Sequence, residues 1–334
     1  MKNIIIEGKH IEAGSPNYII AEIGFNHEGD MSLAAKMIER AAEAGADAVK
    51  FQTFKAAELV LEDTDHFDMI KRMELSLNDH KELKQVARQN GVTFLSTPFC
   101  EEAVDLLEEI DVPAFKIASM DLTNLPFLRR IASIGKPVIL STGMAVLSEI
   151  AEAVEAILAT GNDQIVLLHC ISKYPALPED ANLANIKFLE KIFSLPIGYS
   201  DHVEGNTIAC AAVAMGAVLI EKHFTIDKTL PGPDHKISMD TNDLKNLVND
   251  IRLLEKSLGN NKISYERSDR ENNTMFRRGL YARCDIDVGT TITSEMIKSV
   301  RPEKGLPAKF LDTIIGKKAT RSIPKDCAIN LEVI

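Results

Sequence analysis

This sequence of 334 residues contains no tryptophan, few aromatic residues and no excess of basic charge. Lys and Arg number 38 against 49 Asp and Glu, which gives a formal net charge of −11. A nucleic-acid-binding protein needs a basic surface that displaces counterions, so this balance argues against that function. It still allows an anionic substrate, because a few basic side chains in one cleft can override the overall field.

Cysteine is also scarce, and long apolar runs are missing. The five cysteines are scattered without a CxxC pair, which argues against a disulfide framework and a structural zinc site. We therefore expect reduced thiols and a cytoplasmic location. The longest apolar stretch, Ile208–Ile220, is too short to span a membrane, and the start MKNIIIEGKH lacks a signal peptide's apolar run. We expect no membrane association.

Short β-branched runs alternate with Ala/Leu/Glu/Lys-rich stretches, a pattern typical of parallel βα units. The predicted strands are Tyr18–Gly24, Ala48–Phe54, Thr93–Phe99, Ala114–Ser119, Pro137–Gly143, Ile165–Cys170, Pro196–His202 and Val218–Phe224. Eight βα repeats predict a (β/α)₈ barrel. A doubly wound open sheet is the alternative, but such sheets usually have fewer strands and a Gly-rich phosphate turn. Neither GxGxxG nor GxxxxGK occurs in the chain.

The C-terminal part of the chain has a different composition. The stretch Ser264–Asn273 is dense in charge and poor in apolar residues, which indicates a linker. Beyond it, short apolar runs alternate with turns such as Gly305-Leu306-Pro307. We predict a barrel domain at 1–262, a linker at 263–279 and a small β-rich domain at 280–334.

Every predicted strand ends in polar or ionisable residues. Such endings are unusual for buried strands, because a buried charge costs free energy unless it is paired. In barrels of this type, active sites lie at the carboxyl ends of the strands. The endings are Glu22; Lys50, Gln52 and Thr53; Ser96 and Thr97; Lys116 and Ser119; Ser141 and Thr142; His169; Ser200, Asp201 and His202; and Glu221, Lys222 and His223.

Part of this set predicts an anion site. A solvated lysine is uncommon inside a strand run, and Lys50 and Lys116 both lie in such runs. Lysine and hydroxyl groups together form a cradle for a small phosphorylated anion. The predicted hydroxyls are those of Thr97, Ser119, Ser141 and Ser200.

Another part predicts a metal site with carboxylates beside it. His202 and His223 end adjacent strands, so both imidazoles could bind one divalent metal and leave positions for water and substrate. Glu22 and Glu221 supply carboxylates for proton transfer. A structural role is favoured for His169, which lies in an apolar strand.

His27, in FNHEGD, has two interpretations. It could contribute to chemistry at the strand ends, or it could cap the following helix together with Asp30. Capping is at least as well supported by the sequence as a functional role.

Taken in order, the strand motifs resemble the N-acylneuraminate (sialic acid) synthase family. They are AEIGFNHEGD, KFQTF, STPF, KIAS, STGM, GYSDH, EKHFT and PGPDHKISMD. The segments FRRGLYARCDIDVGTTIT and VRPEKGLP are similar to the family's antifreeze-like SAF domain. The resemblance implies a TIM barrel followed by a SAF domain. It also implies condensation of phosphoenolpyruvate with an open-chain N-acyl-mannosamine-like aldehyde, assisted by Mn²⁺ or alternatively Mg²⁺ or Co²⁺.

The resemblance further implies roles for individual residues. His202 and His223 match the metal ligands, and Glu221 matches a carboxylate near C2 of phosphoenolpyruvate. The residues matching sugar contacts are Glu22, Tyr174 and Asp234. The residues matching phosphoenolpyruvate contacts are Lys50, Thr97, Lys116, Ser119, Ser141, Ser200 and, where some members have Asn, Ser172.

A partner subunit is also implied. In the family, the SAF domain covers the barrel of a second subunit, which would place Phe276 and Arg301 at the neighbour's sugar site in a domain-swapped homodimer.

The sugar itself has several candidates. N-acetylmannosamine would give N-acetylneuraminate, and 2,4-diacetamido-6-deoxy sugars would give legionaminate or pseudaminate. PGPDHKIS is closer to the neuraminate and legionaminate members. The lack of a second basic cluster favours an unphosphorylated sugar over that of a sialic acid 9-phosphate synthase. A non-catalytic carbohydrate-binding protein is the alternative from a different class.

Overall fold

The computed structural model describes residues 4–259 and 272–334. It divides the chain into two compact units, Met1–Gly259 and Asn260–Ile334. The sequence predicts a linker at 263–279, of which residues 263–271 lie outside the described residues. The described part of that segment contains a short helix, Asn273–Phe276.

The first unit begins with an antiparallel hairpin of β1 (Ile4–Ile6) and β2 (Lys9–Ile11), which the sequence analysis does not predict. Glu7 and Gly8 in its turn both have positive φ, as the tightest hairpin turns require. Ile4, Ile6 and Ile11 of the hairpin pack on the inner barrel residues and are completely or almost completely buried, whereas Ile5 is exposed. The hairpin therefore covers the amino-terminal end of the barrel.

Eight parallel strands form the barrel wall. They are β3 (Tyr18–Glu22), β4 (Ala48–Thr53), β5 (Thr93–Pro98), β6 (Phe115–Ile117), β7 (Val138–Ser141), β8 (Ile165–Cys170), β9 (Ile197–Asp201) and β10 (Leu219–His223). Their order is β5-β4-β3-β10-β9-β8-β7-β6, and the end strands β5 and β6 lie beside each other. The predicted (β/α)₈ barrel is confirmed, and the open-sheet alternative is wrong.

Helices surround the strands and bury one face each. They are α1 (Met31–Glu43), α2 (Ala56–Leu59), α3 (Phe67–Arg72), α4 (Leu77–Gln89), α5 (Glu101–Glu109), α6 (Leu125–Ala132), α7 (Leu147–Leu158), α8 (Ala184–Phe193), α9 (Thr207–Ala214) and α10 (Thr241–Leu258). Within 4–259 and 272–334, no helix is both long and apolar enough to cross a membrane.

The strands are buried on both faces. One layer of apolar side chains lies between the strands and the helices, and a smaller layer fills the barrel interior. Apolar side chains occupy the interior below the strand ends, so the polar residues that end the strands have only the carboxyl end of the barrel in which to meet.

The second unit has its own small core. Helix α11 (Asn273–Phe276) precedes β11 (Gly279–Ala282), which pairs antiparallel with β12 (Ile297–Val300), and α12 (Leu311–Ile314) follows. Isolated bridges join β11 and nearby loops to the C-terminal segment. Apolar side chains including Leu280, Ile292 and Ile329 are fully buried within this unit.

Candidate active site

The carboxyl ends of the barrel strands surround a cavity of about 320 Å³. Asp234 lies beside it, with its Oδ2 3.8 Å from Nδ1 of His223. Phe276 and Arg301 belong to the second unit. The predicted residues in the cavity wall are Glu22, Lys50, Thr97, Lys116, Ser119, Ser141, Ser172, Tyr174, Ser200, His202, Glu221 and His223.

Lys50 connects the two carboxylates of the site. Its Nζ lies 2.7 Å from Glu22 Oε2 and 3.7 Å from Glu221 Oε2, and it donates to Thr97 Oγ1 at 3.1 Å. Register between β3 and β4 pairs Glu22 with Lys50, so the two side chains project from neighbouring strands at one level. The Lys50 side chain is only 4% exposed, and such a charge needs these partners.

Lys116 lies on the opposite side of Glu221. Its Nζ donates to Ser141 Oγ at 2.7 Å and to the Ile117 carbonyl at 3.0 Å, and it is 3.8 Å from Glu221 Oε1. Burial lowers the pKa of Lys116, although Glu221 partly opposes that shift. An added anion beside Lys116 would favour its charged form.

The two carboxylates differ in protonation. Burial raises the pKa of Glu22, and the nearby charge of Glu221 adds to that rise against the opposing effect of Lys50. Burial would also raise the pKa of Glu221, but Lys116 and Lys50 outweigh it and lower the pKa to about 2. Ser200 also donates to Glu221 at 3.0 Å. Glu221 is therefore ionised, whereas Glu22 is the carboxyl more ready to hold a proton.

Lys50 remains charged, although the raised pKa of Glu22 favours the neutral form of that carboxyl group. Burial would lower the pKa of Lys50, but Glu22 and Glu221 together raise it. Of these two, Glu221 is the ionised carboxylate, so Lys50 keeps one charged partner at 3.7 Å even where Glu22 binds a proton.

His202 and His223 lie next to each other, with ring centroids 5.4 Å apart. Burial lowers the pKa of both imidazoles, and His202 contributes to lowering the pKa of His223 to about 3. Both rings are therefore neutral near pH 7, the form in which imidazole binds a metal. Tyr174 packs on this pair, with its ring centroid 4.1 Å from that of His202.

The histidine pair fits a divalent metal ion. His202 Nδ1 donates to the Ile171 carbonyl at 2.7 Å, which leaves the lone pair on Nε2, and such an outer hydrogen bond is typical of metal-binding histidines. Nδ1 of His223 is buried and has no hydrogen-bond partner among the described residues. Within 4–259 and 272–334, no group of three or more His, Cys, Asp or Glu side chains could hold a metal. Two protein ligands leave the remaining positions to water and substrate.

The loop that carries Asp234 is fastened to the segment after β3. His235 is fully buried, with Nε2 3.0 Å from Glu28 Oε1 and Nδ1 2.6 Å from Thr225 Oγ1. Gly232 packs against this ring, where a Cβ would lie 2.7 Å from a His235 carbon. Burial raises the pKa of Asp234. These contacts hold the Asp234 carboxyl close to the histidine pair.

The cavity also contains side chains to which the sequence analysis gives no role. Gln52 donates to Glu22 Oε1 at 3.1 Å, and its position two residues after Lys50 on the same strand face could have identified it. Cys170 ends β8, and burial raises the pKa of its thiol. The others in the wall are Phe99, Ala118, Met120 and Met144.

His27 does not cap helix α1. The Asp30 side chain alone accepts from the Ser32 and Leu33 amides at the start of α1. His27 instead is fully buried outside the cavity wall, and its Nδ1 accepts from the Gly29 amide at 3.0 Å. Asp30 is therefore the cap, and His27 fits neither of its two interpretations, since it does not cap the helix and does not line the cavity. His169 packs on Tyr199 and contacts the Ala181 carbonyl, in line with a structural role.

Comparison with known proteins identifies relatives over the whole length. The sequence profile of the NeuB family matches residues 37–263, and that of the SAF domain matches residues 277–332. The N,N'-diacetyllegionaminic acid synthase of Campylobacter jejuni is 42% identical over 324 residues, covering 92% of this chain and 97% of that protein. The N-acetylneuraminate-9-phosphate synthase of Mus musculus is 36% identical over 344 residues, with 98% and 94% covered.

Solved structures give the same result. The crystal structure of N-acetylneuraminic acid (sialic acid) synthetase from Leptospira borgpetersenii superposes with a TM-score of 0.78 at 39% identity. The match covers 81% of this chain and 95% of that chain.

Replacing His27 with Gln should flatten the pH dependence of stability between about pH 4 and 6.5. Burial and nearby His80 lower the pKa of His27 to about 4 from 6.5. In this window the unfolded chain binds a proton that the folded chain does not, so the wild-type unfolding free energy falls as pH falls. Denaturant unfolding at several pH values measures this slope.

Phe25→Leu is the matched control in the same loop. Phe25 packs edge-to-face on Phe54, so its replacement removes apolar contact but no titratable group. It should lower the unfolding free energy by a similar amount at each pH. A His27→Gln slope equal to that of the wild type would contradict the neutral buried state of His27.

Proposed function

This chain belongs to the NeuB family, and on that premise we propose that it condenses phosphoenolpyruvate with the open-chain form of an N-acyl amino sugar. The products are a nonulosonic acid and inorganic phosphate. One observation carries the proposal. At the cavity formed by the carboxyl ends of the strands, the barrel mouth, two buried lysines contact two buried glutamates beside a pair of neutral histidines. Fold alone would not suffice for this inference.

Phosphoenolpyruvate carries a phosphate and a carboxylate, and the cavity supplies cations and hydroxyls for both. Lys50 and Lys116 provide the charges, because ionised donors give the strongest hydrogen bonds to such anions. Ser119 donates from the start of a short turn and also accepts from the Gly143 amide at 2.9 Å. The other proposed contacts are Thr97, Ser141, Ser172 and Ser200.

The reaction balances in atoms and charge. C3 of phosphoenolpyruvate forms a bond to the aldehyde carbon, and water adds at C2. The C2–O bond to the phosphoryl group then breaks, so that C2 becomes a ketone and phosphate leaves. One proton of the water ends on the new sugar hydroxyl and the other on the released phosphate.

The different protonation of the two carboxylates suits these proton movements. Glu221 is ionised and is proposed to accept the proton of the water that adds at C2. Glu22, whose pKa is raised, is proposed to donate a hydrogen bond to the aldehyde oxygen. Lys50 lies between them and stabilises negative charge as the proton moves.

His202 and His223 are proposed to hold a divalent ion, with Mn²⁺ preferred and Mg²⁺ or Co²⁺ also suitable. When bound, such an ion supplies Lewis acidity at the aldehyde carbonyl. The two neutral imidazoles and the unpartnered Nδ1 of His223 support this assignment. Tyr174 and Asp234, which lie against the pair, are proposed to orient the sugar.

For the sugar, we propose an unphosphorylated N-acylmannosamine type, giving N-acetylneuraminate or legionaminate. Lys50 and Lys116 are the cations of the cavity wall, and both already lie beside carboxylates. A second candidate is a 6-phosphorylated sugar, which the similarity to the mouse 9-phosphate synthase favours. A pseudaminate precursor is the third.

We further propose that the second unit covers the barrel of a partner subunit in a domain-swapped homodimer. The Phe276 side chain is 59% exposed, and the Arg301 guanidinium carbon lies 5.7 Å from its ring centroid. An exposed aromatic and an exposed cation side by side form a surface suited to a polar sugar.

Phosphate release with a panel of sugars tests the proposed reaction. The protein is incubated with phosphoenolpyruvate, Mn²⁺ and either N-acetylmannosamine, its 6-phosphate or a 2,4-diacetamido-6-deoxy sugar. An unphosphorylated sugar should give a kcat/KM about tenfold or more above that of the phosphorylated one, because both lysines among the described residues of the cavity wall already lie beside carboxylates. The proposal is contradicted if none of the sugars in the panel supports phosphate release. It is also contradicted if a metal chelator does not reduce phosphate release.

His223→Asn should lower metal-dependent turnover by about 100-fold or more, because several kcal/mol of Lewis-acid stabilisation are lost. Phosphoenolpyruvate binding, measured by calorimetry, should persist because Lys50 and Lys116 remain. His10→Asn, on exposed strand β2 at the other end of the barrel, is the control. Wild-type turnover in the folded His223→Asn variant would remove the metal assignment.

Arg301→Ala should raise KM for the sugar by about tenfold and leave KM for phosphoenolpyruvate unchanged. Arg321→Ala, an exposed arginine of the same unit, is the control.

Co-expression of Arg301→Ala with Lys116→Met then tests the partner's contribution. Heterodimers would combine one intact barrel with one intact lid and restore about a quarter of wild-type activity. Lack of recovery would mean that each lid serves its own barrel.

A further inference from the structure

A buried ion pair lies behind the cavity wall, between strands β9 and β10. Nζ of Lys222 is 2.7 Å from Oδ2 of Asp201, and the two side chains are 4% and 0% exposed. Neither residue lines the cavity. The substrate contacts proposed above therefore give this pair no role.

General stability is a weak explanation for this pair. Removing two charges from water costs several kcal/mol per ion, and the attraction between them often no more than offsets that cost. Two apolar side chains of similar size would usually serve the core as well. A buried pair of this kind is better explained where it fixes a geometry that apolar contacts would leave loose.

The pair is placed where it fixes the two histidines. Lys222 and Asp201 face each other in the β9–β10 register, and each directly precedes one histidine of the pair. Side chains alternate along a strand, so the ion pair lies on the face opposite to the cavity, which His202 and His223 line.

The same two side chains also make hydrogen bonds to the backbone of Val203, two residues after the end of β9. Lys222 Nζ donates to the Val203 carbonyl at 2.5 Å, and the Val203 amide donates to Asp201 Oδ1 at 2.9 Å. His202 lies between Asp201 and Val203, so its backbone is held on both sides. On its other edge, the Ala176 amide donates to the His202 carbonyl at 3.0 Å.

We propose that Asp201 and Lys222 are positioning residues, which hold the imidazoles of His202 and His223 at the separation at which both bind one divalent ion. This inference rests on the metal site of the proposed function. It adds, to the hydrogen bond that the His202 ring makes with the Ile171 carbonyl, an ion pair that acts through the backbone of both histidines.

Titration with Mn²⁺ alone tests the inference, with free Mn²⁺ followed by electron paramagnetic resonance. Lys222→Met should weaken Mn²⁺ binding by about 10- to 100-fold, the effect typical of residues that support metal ligands. The visible spectrum of bound Co²⁺ should change as well, since it reports the ligand geometry. Lys9→Met removes an ion pair of the same length at the other end of the barrel and should leave affinity unchanged.

A double variant separates positioning from stability. Asp201→Leu combined with Lys222→Met leaves no buried charge without a partner, so it should recover thermal stability that Lys222→Met loses. Its Mn²⁺ affinity should stay weak, because the strand ends are no longer fixed. Wild-type affinity in the folded double variant would overturn the inference.

The remaining outcomes are also decisive. If the wild type binds Mn²⁺ and Lys222→Met binds it equally well, the inference fails and the proposed metal site stands. If the wild type does not bind Mn²⁺, both fail. If the lysine variants do not fold, Asp201→Asn, which keeps an acceptor for the Val203 amide, is titrated instead, and unchanged affinity there overturns the inference.

Discussion

Lys50 lies between the carboxyl groups of Glu22 and Glu221 with almost no exposure to water. A charge in that position is tolerated only with partners, and those partners in turn depend on Lys50. Lys116 approaches Glu221 from the opposite side and completes the group. Three hydroxyls of the mouth are arranged around these four, since Thr97 contacts Lys50, Ser141 contacts Lys116 and Ser200 contacts Glu221.

This group separates two carboxylates that are chemically alike. Glu221 lies near both lysines and is ionised, while Glu22 has one lysine and one like charge beside it. The same residue type therefore gives one carboxyl group that holds a proton more readily and one that is ionised, because their neighbours differ. The histidine pair is neutral through burial, so it offers ring nitrogens without adding positive charge.

Much of the barrel and of its mouth could be predicted from sequence, because strand period and strand endings are local signals. Runs of apolar residues were enough to predict the positions of the eight strands. The polar residues at the ends of these runs directly identified Lys50, Lys116 and Glu221. Hairpin β1–β2 could not be predicted, since strands of three residues give too little pattern. The Lys222–Asp201 pair needs the β9–β10 register, which only the folded sheet provides. For His27 the sequence left a functional role and a helix cap open, because the burial of a single ring depends on tertiary packing that no local pattern shows.

In the proposed reaction, this mouth breaks the C2–O bond of phosphoenolpyruvate after a bond forms from C3 to the sugar aldehyde. The most direct test uses phosphoenolpyruvate labelled with ¹⁸O at the bridging oxygen, together with the sugar that supports turnover. The ³¹P resonance of the released phosphate then reports where the label goes. Cleavage of the C2–O bond should leave the label with the phosphate. Retention of the label in the sugar acid would show P–O cleavage and contradict the account.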